Sequence, residues 1–264
     1  FDLAVIAGFI KSFLGSDNIA FKGSDNVAVC TAGDGSTVTL STSASSIAEN
    51  SGSSLTLTAT ITEAVATNVT VHIATSGKGS EGSDYGTLAN ITISAGSLTG
   101  TTSFTPTDDA VYEGSENAVI SISNVTGGTV TENCTQEVTI TITDNESAPQ
   151  VSLRSSSSNI GQSAAPSLTL TATLSGVTDK DVIVGLSTSG TGTEGSDYET
   201  IPDITISAGQ TSGTTRLVLS EDTTYEGNET AVIAISGISG GVATFNASEE
   251  PITLTITENE SAPT

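Results

Sequence analysis

The chain has 264 residues, with six Lys and Arg against 30 Asp and Glu, for a net charge of −24; nucleic-acid phosphates and anionic membrane surfaces would repel it. About a third of the residues are Ser or Thr, Thr alternates with Val and Ile over long stretches, and Met and Trp are absent, which is a β-rich composition. With one histidine, His72, no Ser-His-Asp, Cys-His or zinc constellation can be assembled, no Gly-rich phosphate loop matches, and no run reaches the ~18 apolar residues of a membrane helix.

The chain opens on Phe1 and not Met, which reads as a processed or trimmed terminus. Residues 1–36 match nothing later. Phe1 to Leu14 is apolar apart from Asp2, Gly8, Lys11 and Ser12, and its periodicity fits neither helix nor strand cleanly. Three readings stay open for it: an extra element packed on the first module, a donor strand for a neighbouring subunit, or a peripheral membrane anchor. The two cysteines, Cys30 and Cys134, both belong to this end of the chain. A Cys30–Cys134 bridge would tie the extension to the first module; the alternative is two buried thiols.

From about Thr37 the apolar residues alternate with Thr, as half-buried strands require. In the first module they are Val38 and Leu40; Leu55, Leu57, Ala59 and Ile61; Val69, Val71 and Ile73; Ile91 and Ile93; Ala118, Ile120 and Ile122; and Val138, Ile140 and Ile142. Val151 restarts the plan, which runs through Leu168–Leu174, Val182–Leu186, Ile204–Ile206, Leu217–Leu219 and Ala231–Ile235 to Ile252–Ile256. His72 falls between Val71 and Ile73, where alternation places it on the outer face. Between 81–116 and 194–229, 20 of 36 positions are identical, so the chain is a duplication. The spacing predicts an all-β protein of two tandem seven-stranded antiparallel sandwiches, dividing as 1–36 (extension), 37–149 and 150–264.

Each copy carries a run that cannot be a core strand. Asp108-Asp109-Ala110-Val111-Tyr112-Glu113-Gly114-Ser115-Glu116 places four carboxylates beside an aromatic and a glycine, and Glu221–Glu229 repeats the acidic spacing. Close like charges repel and raise each other's pKa. A hard divalent cation with about 6–8 oxygen ligands removes that conflict. The copies end in Ile142-Thr143-Asp144-Asn145-Glu146 and Ile256-Thr257-Glu258-Asn259-Glu260, so acidic residues also sit where the last strand leaves the sandwich. Two carboxylates can run glycosidase chemistry, but here there are too many and no Trp platform. The sequence argues against an enzyme.

Taken in order, Glu81–Tyr85, Ser94–Gly96, Asp108–Glu116 and Ile142–Glu146, with their repeats at Glu194–Tyr198, Ser207–Gly209, Glu221–Glu229 and Ile256–Glu260, resemble the Calx-β motif over about residues 37–264. The resemblance implies an immunoglobulin-like Greek-key sandwich with a calcium cluster at one end, as in exchanger regulatory domains and microbial surface adhesins. By motif position it implies ligands Glu49, Asp84, Asp108, Asp109, the Val111 carbonyl, Glu113, Glu116, Asp144 and Glu146 in the first module. In the second it implies Asp197, Glu221, Asp222, the Thr224 carbonyl, Glu226, Glu229, Glu258 and Glu260. The family's early Glu is Gln162 there, and Glu221 and Glu258 stand where the first module has Asp. The first module is therefore expected to bind more ions, or bind them tighter; loss of binding in the second stays open.

Eight Asn-x-Ser/Thr sequons occur, roughly twice the chance number. Asn68, Asn90, Asn124, Asn133, Asn228 and Asn246 are candidate glycosylation sites; Asn145 and Asn259 lie inside the ligand tripeptides and are expected to be unmodified. The sum is an extracellular, cell-surface, calcium-binding structural protein, a filament or fibre subunit stiffened by calcium at its short linker and assembling with itself through residues 1–36. The alternatives are a calcium-dependent adhesion module of a larger surface protein, with surface carbohydrate or protein as partner, and a soluble calcium sensor.

Overall fold

The structure, a computed structural model, describes residues 35–134, 136–162, 166–245 and 251–264. Cys30, Asn246 and the apolar segment invoked for strand donation lie outside the described residues. The chain forms two compact units that part near residue 144, with Ala110–Gly114 counted in the second.

The first module contains β1 (Ser36–Thr42), β2 (Ser46–Ala48), β3 (Leu55–Ile61), β4 (Val69–Gly77), β5 (Ile91–Ile93), β6 (Thr99–Phe104), β7 (Val111–Tyr112), β8 (Glu116–Thr126), β9 (Val130–Glu132) and β10 (Glu137–Thr143). One sheet runs β6-β3-β1-β9, the other β2-β10-β8-β4-β5. β1 and β2 are one strand broken across both sheets, and β9 and β10 are another. Most pairings are antiparallel, but β1 with β9 and β2 with β10 are parallel, a detail that alternation alone does not reveal.

The second module repeats this with β11 (Gln150–Ser155), β12 (Asn159–Gly161), β13 (Ser167–Leu174), β14 (Val177–Thr178), β15 (Val182–Gly190), β16 (Ile204–Ile206), β17 (Ser212–Val218), β18 (Glu229–Gly240), β19 (Thr244–Phe245) and β20 (Ile252–Thr257). Its sheets run β17-β13-β11-β19 and β12-β20-β18-β15-β16. β7, within the second unit, pairs in parallel with β14.

The alternating apolar residues face inward between the sheets, and each module has its own core. Two alternating positions do not follow the simple period. Bulges at His72/Ile73 and Gly185/Leu186 shift the register, leaving Ile73 and Leu186 only half-buried. β6 has no signature in the sequence: Thr-Gly-Thr-Thr-Ser-Phe offers one apolar anchor, Phe104, which is fully buried and stacks on Tyr85 with ring centroids 4.7 Å apart. His72 is half-buried, with Nε2 3.1 Å from Thr126 Oγ1 and Nδ1 3.2 Å from Asn90 Nδ2. Cys134 is disulfide-bonded. Among the described residues no helix is long and apolar enough to cross a membrane.

Candidate metal centres

The parallel pairing of β2 and β10 brings two distant segments to one tip. Ala48 lies opposite Thr143, so the chains leave the sheet together and Glu49 emerges beside Asp144. Glu49 sits in a single 3-10 turn (Glu49–Ser51) closed by Gly52 in the left-handed region. It is buried, and with Asp144 and Glu146 it forms a group whose ligand oxygens lie within 4.8 Å of one another.

A second group within the same span joins Asp84, Glu113 and Glu116. Glu116 opens β8 and is buried at 8 % exposure. Asp84 sits in the turn after β4, the antiparallel neighbour of β8, and its carboxylate accepts the Ser80 N–H. Tyr85, the next residue, is buried beneath the turn and anchors it to the core. Asp144 connects the two groups: its Oδ2 accepts from Glu113 N and Gly114 N, both at 2.7 Å, and its Oδ1 accepts from Glu146 N at 2.7 Å. Oδ2 is thereby filled with two donors, while Oδ1 retains a lone-pair site for a cation.

In the second module Asp197, Asp222 and Glu226 form one group. Glu258 takes the Asp144 role despite its extra methylene: Oε2 accepts from Glu226 N at 2.7 Å and Gly227 N at 3.0 Å, and Oε1 accepts from Asn259 N at 2.9 Å and Glu260 N at 3.1 Å. Among the described residues, no counterpart of the Glu49 group forms there. Gln162 is buried at the matching position, and Asn259 Nδ2 donates to the Gln162 carbonyl and to Glu221 Oε1, both at 3.0 Å. A hydrogen bond between the Glu258 and Glu260 side chains, helped by the backbone donors, pulls Glu258 down to about 2 and pushes Glu260 up.

Electrostatics mark this tip as short of positive charge. Burial, then the charges of Asp197 and Glu226, push Glu229 above the usual carboxylate range; Asp197 above all pushes Glu226 up. Glu229 Oε2, and in the first module Glu146 Oε2, are buried oxygens that accept no hydrogen bond. A buried carboxylate oxygen in that state is costly unless a cation or a proton completes it. The donor set is entirely oxygen, which suits calcium over softer metals. The residues present therefore fit calcium.

Six of the eight sequence-derived carboxylate ligands of the first module fall in the two groups; Asp108 and Asp109 do not. In the second module Asp197, Asp222 and Glu226 are gathered and Glu229 interacts with Asp197, while the carboxylates of Glu221, Glu258 and Glu260 fall outside the group. Sequence reasoning missed Lys78, whose Nζ lies 3.1 Å from Glu116 Oε1. It also missed Asn228, whose Oδ1 accepts from Glu258 N at 3.0 Å. Asn145 Nδ2 donates to Glu146 Oε1 at 2.9 Å. At the opposite end of the module, Asn68 Oδ1 and Asn90 Oδ1 accept from Ala95 N and Ile73 N at 2.9 and 3.0 Å, and Asp181 and Asp203 do the same for Ala208 N and Leu186 N in the second module.

Fold and site together define a tandem immunoglobulin-like protein with an oxygen-rich, acidic tip on each module. The Calx-beta domain matches residues 32–146 and 150–260, and the chain belongs to that family. Similar solved structures include the calcium binding domain CBD12 of CALX1.1, at 16% identity over 80% of this chain and 96% of that one, TM-score 0.36. The CBD12 of CALX1.2 is 18% identical over 81% and 96%, TM-score 0.35. The Yersinia pseudotuberculosis adhesin InvE is 16% identical over 84% and 58%, TM-score 0.33. No curated protein matches the chain.

Proposed function

We propose that this chain is an extracellular structural protein whose two modules hold calcium at their acidic tips. The observation that carries the reading is the gathering of carboxylates from separate segments in groups of three, one buried in each, with buried oxygens that accept no hydrogen bond at Glu146 and beside the last group at Glu229. Glu49, Asp144 and Glu146 would hold one ion and Asp84, Glu113 and Glu116 another; Asp197, Asp222 and Glu226, with Glu229 beside them, would hold a third. The ion supplies the positive charge that lets these carboxylates stay ionised at close range. In this reading the protein works as a surface filament or adhesive-fibre subunit, calcium stiffens the short linker, and residues 1–36 supply contact between copies. The net charge of −24 and the cluster of sequons support an exterior location. Calorimetric titration of the full chain with calcium tests the metal reading: saturable binding with a rise in thermal midpoint is expected, and no heat at millimolar calcium overturns it. Electron microscopy of the full chain and of a chain lacking residues 1–14 tests assembly: polymers only with the segment present support the filament, and monomers from both favour a binding module of a larger surface protein.

A further inference from the structure

We propose that Lys78 is a tethered counter-ion of the first module's Asp84–Glu113–Glu116 group and sets how tightly that group holds calcium; the inference rests on the calcium reading above. Lys78 Nζ lies 3.1 Å from Glu116 Oε1, and Glu116 is buried while the lysine side chain is half-exposed. The chain has only six basic residues among 264, so an ammonium among metal ligands is not background. The duplication supplies an internal control. Thr191 stands at the matching position, and its hydroxyl turns to Thr230, lying 3.3 Å from Thr230 Oγ1 and accepting from Thr230 N at 2.9 Å. Glu229, the counterpart of Glu116, keeps a buried oxygen that accepts no hydrogen bond.

The chemistry follows from charge and reach. Without metal, the ammonium neutralises part of Glu116 and keeps a crowded carboxylate group together. An arriving calcium ion must either share Glu116 with a like charge a few ångströms away or push the lysine into water. The four-carbon stem and half-exposed position of Lys78 make the second route open. Binding in the first module is thus an exchange of a tethered single charge for a double one, and the affinity is lower than its ligand count alone would give. The second module has no such competitor at that position.

The test uses the full chain in an Asp222→Asn background, which disables the second module's group, and titrates calcium by calorimetry. Lys78→Thr, which installs the second module's residue, is expected to tighten binding about threefold to tenfold and to lower the metal-free thermal midpoint. Lys78→Gln should do the same, while Lys78→Arg should retain the weaker affinity. Unchanged affinity in both neutral variants overturns the role of Lys78 and leaves the calcium site standing. Absence of calcium binding in every variant and in the parent overturns the calcium reading and this inference with it.

Discussion

Among the described residues, six carboxylates gather in two groups at the tip of the first module, with a lysine paired to one of them; at the tip of the second, three form one group. The scaffolds beneath are the same: equivalent strands, equivalent bulges, and a buried tyrosine, Tyr85 or Tyr198, under each acidic turn. Three differences in residue type accompany the divergence. Gln162 replaces Glu49, so the second module lacks one charge. Glu258 replaces Asp144, and its longer side chain reaches Glu260, whose carboxyl it pushes up. Thr191 replaces Lys78, so the ammonium that meets Glu116 has no counterpart at that position beside Glu229. A duplicated fold thus preserves where oxygens converge, while single substitutions change which groups sit beside them.

The largest effects should be equal in the two modules, because they probe the shared scaffold. Gly77 and Gly190 have φ of +111° and +120°, and an added Cβ would fall 2.2 Å from Asn117 O and Thr230 O respectively. Gly77→Ala and Gly190→Ala should each destabilise their module, on the order of 3 kcal/mol, by strain and overlap together; urea denaturation showing one tolerated and the other not would break the comparison. Next comes Glu49→Gln, which gives the first module the neutral residue of the second. It should remove one calcium ion per chain in calorimetric stoichiometry and reduce the calcium-dependent gain in stability, which is about 2.7 kcal/mol for a site at a hundred times its Kd.

The pH response should distinguish the second tip. Glu226 and Glu229 hold protons more tightly folded than unfolded, so their contribution to stability is full below the ordinary value of 4.5 and is lost as pH rises through their raised values. Glu258 acts oppositely: its contribution is present above 4.5 and is lost as pH falls toward about 2. The metal-free protein should therefore gain thermal stability as pH drops from neutral toward about 5, and lose it again toward about 2. Calcium should stabilise progressively less over the upper interval. A metal-free midpoint that falls steadily from neutral pH would contradict the proton-holding account. The smallest effect belongs to the far end. Asn90→Asp copies Asp203 and keeps the acceptor for Ile73 N, so stability should change by less than about 0.5 kcal/mol. If Asn90 carries a glycan in native material, mass spectrometry should show the mass of that peptide fall with the sequon.

The duplication and the two-residue strand period were legible in the sequence, the first as a match at a fixed offset and the second because alternation is set by neighbours a few residues apart. Val38, Leu57, Ile140 and Leu170 needed only alternation to be placed inward, and they are buried. β6 was not legible, since a Thr-rich strand with a single Phe takes its conformation from pairing with β3 and not from its own pattern. The half-burial of Ile73 and Leu186 was not legible either, because a bulge is a property of two strands together.

By itself, the sequence determined that the chain folds as two all-β modules and that oxygen-bearing residues cluster near their turns. Only the tertiary structure decided how those oxygens divide. The parallel register of β2 with β10 brings Glu49 to Asp144 across nearly a hundred residues of chain. The β4–β8 pairing brings Lys78 and Asp84 to Glu116. Such meetings depend on non-local strand pairing, where a shift of one residue would turn the same side chains to the other face of the sheet.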